Sequence, residues 1–172
     1  MIKSFKIRIY PTKGQEELIW KHIGSCRYIW NWMLAKQKEL YDAGEKHLSG
    51  FDMIRLITSL KNDGEHEWLS EVSTSSLQIV CQDLHKAYNC FFKKISGSPK
   101  FQSRKRSKLS YPVCVNRFYF VDNRMVQIQK LGNVRYKTDF SLPHGKEHKF
   151  SNPRITNRNG KWILSFGMEC EN

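Results

Sequence analysis

Two hydrophobic periods divide this chain. Between residues 12 and 96 apolar side chains recur every three or four positions, and beyond Tyr111 they alternate with polar ones. The first spacing lines one face of an α-helix; the second lines one face of a β-strand. Ile19, Ile23, Cys26, Trp30 and Met33 predict one long helix. It opens at the capping-box spacing Thr12-Lys13-Gly14-Gln15 and ends near Asp42-Ala43-Gly44. A shorter helix is expected from about Asp52 to Leu60. A third follows the N-cap candidates Ser73 to Ser76 along Leu77, Val80, Leu84, Tyr88, Phe91 and Ile95, until Gly97-Ser98-Pro99 breaks it.

Strand signals flank this helical block. Phe5 to Tyr10 alternates and stops at Pro11. Phe118–Val121 and Met125–Ile128 surround the turn Asp122-Asn123-Arg124, and Leu131-Gly132-Asn133 precedes Val134-Arg135-Tyr136. Pro153–Thr156 and Trp162–Phe166 bracket Asn159-Gly160, the strongest hairpin signal present. The expected fold class is α+β: a small β-barrel of the first strand and about five later ones, interrupted by a helical insertion. The expected parts are residues 1–11 (first strand), 12–96 (helical insertion), 97–110 (basic linker) and 111–172 (remaining strands).

Charge then narrows the partner. With 29 Lys+Arg against 16 Asp+Glu the chain carries a formal +13, a self-repulsion that a polyanion relieves. An apolar content of 40% suffices for a core, so disorder is not expected. An anionic membrane surface would also balance the charge. However, no run reaches the ~20 apolar residues of a membrane span, and Met1-Ile2-Lys3-Ser4-Phe5-Lys6 lacks the apolar stretch of a signal peptide. Nucleic acid is the expected partner, with no membrane. The five cysteines are odd in number, widely spaced and without a Cys-x-x-Cys pair. Most are expected as small core residues in a reducing cytoplasm, and neither a disulfide framework nor a zinc ribbon is indicated.

The charge concentrates in one stretch. Lys93, Lys94, Lys100, Arg104, Lys105, Arg106 and Lys108 are seven cations with no carboxylate among them, interleaved with the rings of Phe101 and, just beyond, Tyr111. Cations neutralise phosphates and release counterions while aromatic rings stack on bases. A solvated run serving only solubility is the bland alternative. The charge, rings and rigid turn together favour nucleic-acid contact. In the first helix Lys21, Arg27, Lys36 and Lys38 permit a helix-turn-helix reading, but Trp30 and Trp32 read better as packing residues. Ser73-Thr74-Ser75-Ser76 with Gln78 offers hydroxyls and an amide to a phosphate or base edge, although plain capping explains most of it.

Catalytic chemistry is harder to find. His144 and His148 flank a loop with no fitting third ligand, and the acidic residues are scattered rather than converging on metal ions. No metal and no cofactor is implied, and there is no Gly-rich phosphate loop or Ser-His-Asp arrangement.

The ordered motifs nevertheless form a set. Lys6-Ile7-Arg8-Ile9-Tyr10-Pro11-Thr12 leads to Gly24-Ser25-Cys26-Arg27-Tyr28-Ile29-Trp30-Asn31. Lys86-Ala87-Tyr88 with Phe91-Phe92 follows, then Gly97-Ser98-Pro99-Lys100-Phe101 with Ser103-Arg104-Lys105-Arg106. Lys130-Leu131-Gly132-Asn133-Val134 and Asn159-Gly160-Lys161-Trp162 complete it. Together they resemble the N-terminal half of the TnpB (OrfB) proteins of IS200/IS605-type insertion sequences, relatives of the Cas12 nucleases, in order and across the whole chain.

The resemblance implies a wedge-type β-barrel with a helical recognition lobe. It also implies a transposon-derived guide RNA and a double-stranded DNA partner carrying a short target-adjacent motif. By resemblance, Thr74, Ser75 and Gln78, with Asn116 and Arg117, lie where motif-reading residues are expected. The family's cleavage centre is a RuvC-like fold opening on an Asp-x-Gly strand after the Asn159-Gly160 hairpin. The only Asp-x-Gly here, Asp42-Ala43-Gly44, falls at a helix end, and the family's Cys-rich zinc module is absent. Binding without cleavage by this chain is therefore the expectation. The alternatives are a subunit completed by a separately encoded RuvC-like half, and a helix-turn-helix regulator gripping duplex DNA through residues 14–33.

Overall fold

The computed structural model describes residues 1–171, which divide into two compact units. The first comprises Met1–Ile23 and the residues from Lys108 onward; the second is Gly24–Ser107. The long helix α1 (Lys13–Asp42) contributes residues to both.

The first unit is built on seven antiparallel strands. These are β1 (Ile2–Tyr10), β2 (Ser110–Pro112), β3 (Tyr119–Phe120), β4 (Met125–Ile128), β5 (Gly132–Lys137), β6 (Phe150–Arg158) and β7 (Lys161–Glu169). They pair in the order β2-β6-β7-β1-β5-β4-β3, so the first strand does join the later ones, between β7 and β5. The Asn159-Gly160 hairpin forms as its sequence demands: both residues take positive φ (54° and 80°), which a two-residue turn matched to strand twist requires. Thr12 and Gln15 close the capping box at the start of α1 with bonds of 2.9 and 3.2 Å. The Gln15 amide then donates to the carbonyls of Leu131 and Asn133, anchoring the helix start on the β4–β5 turn.

The sheet differs from expectation in one respect. Its hydrogen-bonded order is linear, so it is an open sheet rather than a closed barrel. The edge strands β2 and β3 hold three and two residues, too little ladder for the edges to zip together. Curling substitutes for closure. Phe120 on the β3 edge packs 5.4 Å from Phe166 on β7 and 5.4 Å from Phe150 on β6, and Phe118 and Tyr136 complete the aromatic core. Such pairs contribute roughly 0.5–1.5 kcal/mol each beyond their buried area.

The second unit is helical. After the remainder of α1 come α2 (Gly50–Lys61), a 3₁₀ turn (Glu67–Glu71) and α3 (Thr74–Phe92). Ser49 and Asp52 form a complete capping box at α2, and Ser73 caps α3. Met33, Met53, Ile57, Leu69, Leu77 and Leu84 are fully buried. Buried Gln37 closes the α1–α2 connection by pairing both ways with the backbone of Leu48 at 2.9 Å. Helix α3 stops at Phe92, short of the sequence expectation: Lys94 turns left-handed (φ 62°), leaving Ile95 71% exposed. Cys26, Cys81 and Cys114 are buried as expected, and burial pushes the Cys81 thiol up to about 12.

Candidate nucleic-acid interface

The basic stretch is exposed and shaped. Lys93, Lys94, Lys100, Arg104, Lys105, Arg106 and Lys108 all face solvent. Up to Ser107 the segment belongs to the helical unit, where α1 holds it by polar bonds. The Trp30 indole donates to the Lys100 carbonyl at 2.8 Å. The Asn31 amide donates to the Gln102 carbonyl at 2.9 Å and accepts the Gln102 N–H at 2.7 Å. Next, Ser103 and Ser107 tie a small loop. The Ser103 hydroxyl accepts from Arg106 N–H, its carbonyl from Ser107 N–H, and its own N–H donates to the Ser107 hydroxyl. Arg104, Lys105 and Arg106 project from that loop. Trp30 is therefore a half-buried strut as well as a packing residue.

The two rings of this stretch separate. Phe101 is 52% exposed, with the Lys38 ammonium 4.7 Å from its centroid. Tyr111 is 1% exposed and packs against His22 at 4.7 Å, so it offers no face to a base. Its place in a core-facing position of β2, paired opposite Ile155, explains the burial.

Thr74, Ser75 and Gln78 share the accessible side of the first two turns of α3, and the Lys61 ammonium donates to the Thr74 hydroxyl. Asn116 and Arg117 belong to the other unit. There they line a groove of about 620 Å³ with Lys146 and Lys149, and Arg117 adopts φ 64° at the turn before Phe118.

One further candidate surface was not legible in the sequence at the level of residues. Alternation puts Ile7, Ile9, Trp162, Leu164, Ile155, Val134 and Tyr136 inside. It therefore puts Lys6, Arg8, Arg154, Arg158, Lys161, Arg135 and Lys137 on the opposite face of four neighbouring strands. Two like-charged pairs stand directly opposite in the ladder, Arg8 with Lys137 and Arg158 with Lys161. Such pairs destabilise a sheet. Tyr10 offsets one of them, its ring 5.0 Å from the Arg8 guanidinium and 5.3 Å from the Lys137 ammonium. Arg8 Nε is shielded from solvent with no acceptor among the described residues. The alternation was readable in sequence; which strands lie side by side was not.

Among the described residues no three His, Cys, Asp or Glu side chains gather as metal ligands would. His144 and His148 lie in the loop before β6, and His148 faces Glu147 at 3.5 Å. No described helix is long and apolar enough to cross a membrane.

The outward face of the sheet and the basic stretch of the helical unit both gather cations, which is the character of a nucleic-acid-binding surface. Comparison with known proteins makes this specific. A helix-turn-helix domain of the OrfB type from IS605 matches residues 1–46. A relative in Escherichia coli (strain K12), carrying the name RNA-guided DNA endonuclease InsQ, is 29% identical over 171 residues. Another, in Streptomyces pristinaespiralis and also named as an RNA-guided DNA endonuclease, is 27% identical over 172 residues. The matches take in 99% and 98% of this chain but 41% of either relative. The chain is thus similar throughout its length to the N-terminal part of TnpB/OrfB-type proteins. Within the matched segment the structure forms β1 and the single thirty-residue helix α1.

Proposed function

We propose that this chain is the nucleic-acid-binding part of a TnpB-like RNA-guided DNA endonuclease. In this reading Lys93, Lys94, Lys100, Arg104, Lys105, Arg106 and Lys108 hold the phosphates of a transposon-derived guide RNA, and Phe101 contributes a ring. The curled sheet serves as the wedge. Thr74, Ser75, Gln78, Asn116 and Arg117 meet the duplex beside the target. The cutting named in the relatives is assigned to the part of their length outside the matched residues. No cleavage by this chain alone is expected.

One observation carries the reading: seven exposed cations with no carboxylate among them, the segment from Lys100 to Ser107 held to a defined course by Trp30, Asn31, Ser103 and Ser107. A solubility tail needs no such pinning. A shift assay against the cognate transposon-end RNA and an unrelated RNA of equal length tests it. Preference for the cognate RNA is expected; equal binding would remove the guide-RNA assignment.

The match to a helix-turn-helix domain favours a second reading, in which α1 grips duplex DNA. Charge reversal at Lys21 and Arg27 would then abolish duplex binding, while reversal in the Arg104–Arg106 loop would leave it intact.

A further inference from the structure

The outward face of the sheet contains a second, smaller feature that the basic stretch does not explain. Strands β2, β6, β7 and β1 enclose a cavity of about 140 Å³ lined by Lys6, Lys108, Arg154 and Arg158, with the hydroxyls of Ser110 and Thr156 among them. The ladder register builds it. Lys6 stands opposite Ser165, which stands opposite Arg154; Thr156 stands opposite Ser110 on the other side. Side chains at these positions project from the same face, opposed pairs about 5 Å apart, so Lys6 and Arg154 stand about 10 Å apart across Ser165, a span their long side chains can close on one anion.

The chemistry of the lining is one-sided. It offers four cationic heads and several hydroxyls, and no carboxylate. Arg154 Nε donates to the Ser110 hydroxyl at 3.2 Å, which orients the guanidinium within the cavity. An oriented guanidinium flanked by ammonium groups is the arrangement that receives the oxygens of one phosphate. The cavity lies well below the ~300–1,000 Å³ of small-molecule sites, so it suits a single anionic group rather than a whole ligand. Its neighbours decide what that group belongs to. Lys6 also lines the adjoining groove with Arg8, Arg124, Arg135 and Lys137, five cations against the one carboxylate of Asp139, so the excess of positive charge runs on across β1 and β5. A free anion needs one cavity; a polyanionic strand uses a track.

We propose that this cavity is a phosphodiester subsite, which seats one backbone phosphate of a polynucleotide strand running across β6, β7 and β1 toward Tyr10. The assignment rests on the nucleic-acid reading above and adds to it a site separate from the Arg104–Arg106 loop.

The test is fluorescence anisotropy of the full chain with a labelled polyuridine of about 20 nucleotides, titrated from about 50 to about 300 mM KCl. Three variants are compared with the parent: K6Q/R154Q, the single surface variant R158Q, and the loop variant R104Q/K105Q/R106Q. Loss of one seated phosphate from a single strand makes the log–log salt slope shallower by about 0.7. K6Q/R154Q and R158Q are each expected to weaken binding and flatten the slope in that direction. Arginine and lysine swapped in place (K6R/R154K) should restore the slope. Melting curves report folding, and R158Q at the strand end carries the test if the double variant does not fold. Matched DNA and duplex RNA probes show which polynucleotide the subsite prefers. Unchanged affinity and slope in both sheet variants, with weakened binding in the loop variant, overturns the subsite and leaves the nucleic-acid reading standing. Absence of binding by the parent chain to every probe overturns both.

Discussion

Asn31 is one residue on a long helix, yet both of its amide atoms are committed to Gln102, at 2.9 and 2.7 Å. Truncation to alanine leaves the Gln102 amide and carbonyl without their protein partner, a loss of about 1–3 kcal/mol for groups of this kind. Asn31→Ala is expected to accelerate hydrogen exchange at the Gln102 amide and to weaken RNA binding without unfolding the chain. Exchange unchanged at that amide would contradict the pinning. His22 supplies a second residue-scale prediction. It is fully buried and its Nδ1 donates to the Leu18 carbonyl at 2.8 Å, while burial, chiefly, lowers its pKa below 6.5. The unfolded chain therefore takes up a proton first as pH falls. His22 contributes stability that is present above about pH 6.5 and lost as pH drops from there toward the folded-state pKa. Urea midpoints measured at descending pH should fall through that window in the parent chain, and fall less in His22→Gln.

Elements were legible where their boundaries are written in short-range chemistry. The Thr12–Gln15 capping box, the Asp122 turn and the Asn159-Gly160 hairpin all form where their residues place them. Gly160 takes φ 80° with open space around its Cα, so Gly160→Ala meets backbone strain rather than a clash. It is expected to cost about 1 kcal/mol, read as a lower denaturation midpoint. A larger loss would mean that neighbouring side chains also constrain the turn. Three features were not legible. β2 is three residues long and shows no alternation before it pairs with β6. The end of α3 depends on Lys94 turning left-handed, although the apolar pattern continues to Ile95. The burial of Tyr111 depends on that same short strand. Likewise, Lys6 and Arg154 become neighbours only because β7 lies between their strands, a fact of topology that no local pattern carries.

At the scale of the whole molecule, a formal charge of +13 must be balanced by something. The structure distributes it unevenly, into a pinned loop on the helical unit and across one face of the sheet, with no metal-ligand cluster among the described residues. Charge composition announced a polyanion partner; the hydrogen bonds of Trp30 and Asn31 hold in place the stretch proposed to meet it. Counterion release makes this quantitative, since each phosphate neutralised adds about 0.7 to the salt slope for a single strand and about 0.9 for a duplex. The most direct measurement is therefore that slope for RNA binding by the intact chain, compared with a variant carrying glutamine at Lys93, Lys94, Lys100, Arg104, Lys105, Arg106 and Lys108. The parent is expected to lose affinity steeply with salt, and the variant to show a slope shallower by several units with its melting temperature preserved. Equal slopes in the two proteins would contradict the claim that Lys93 to Lys108 is where this chain holds nucleic acid.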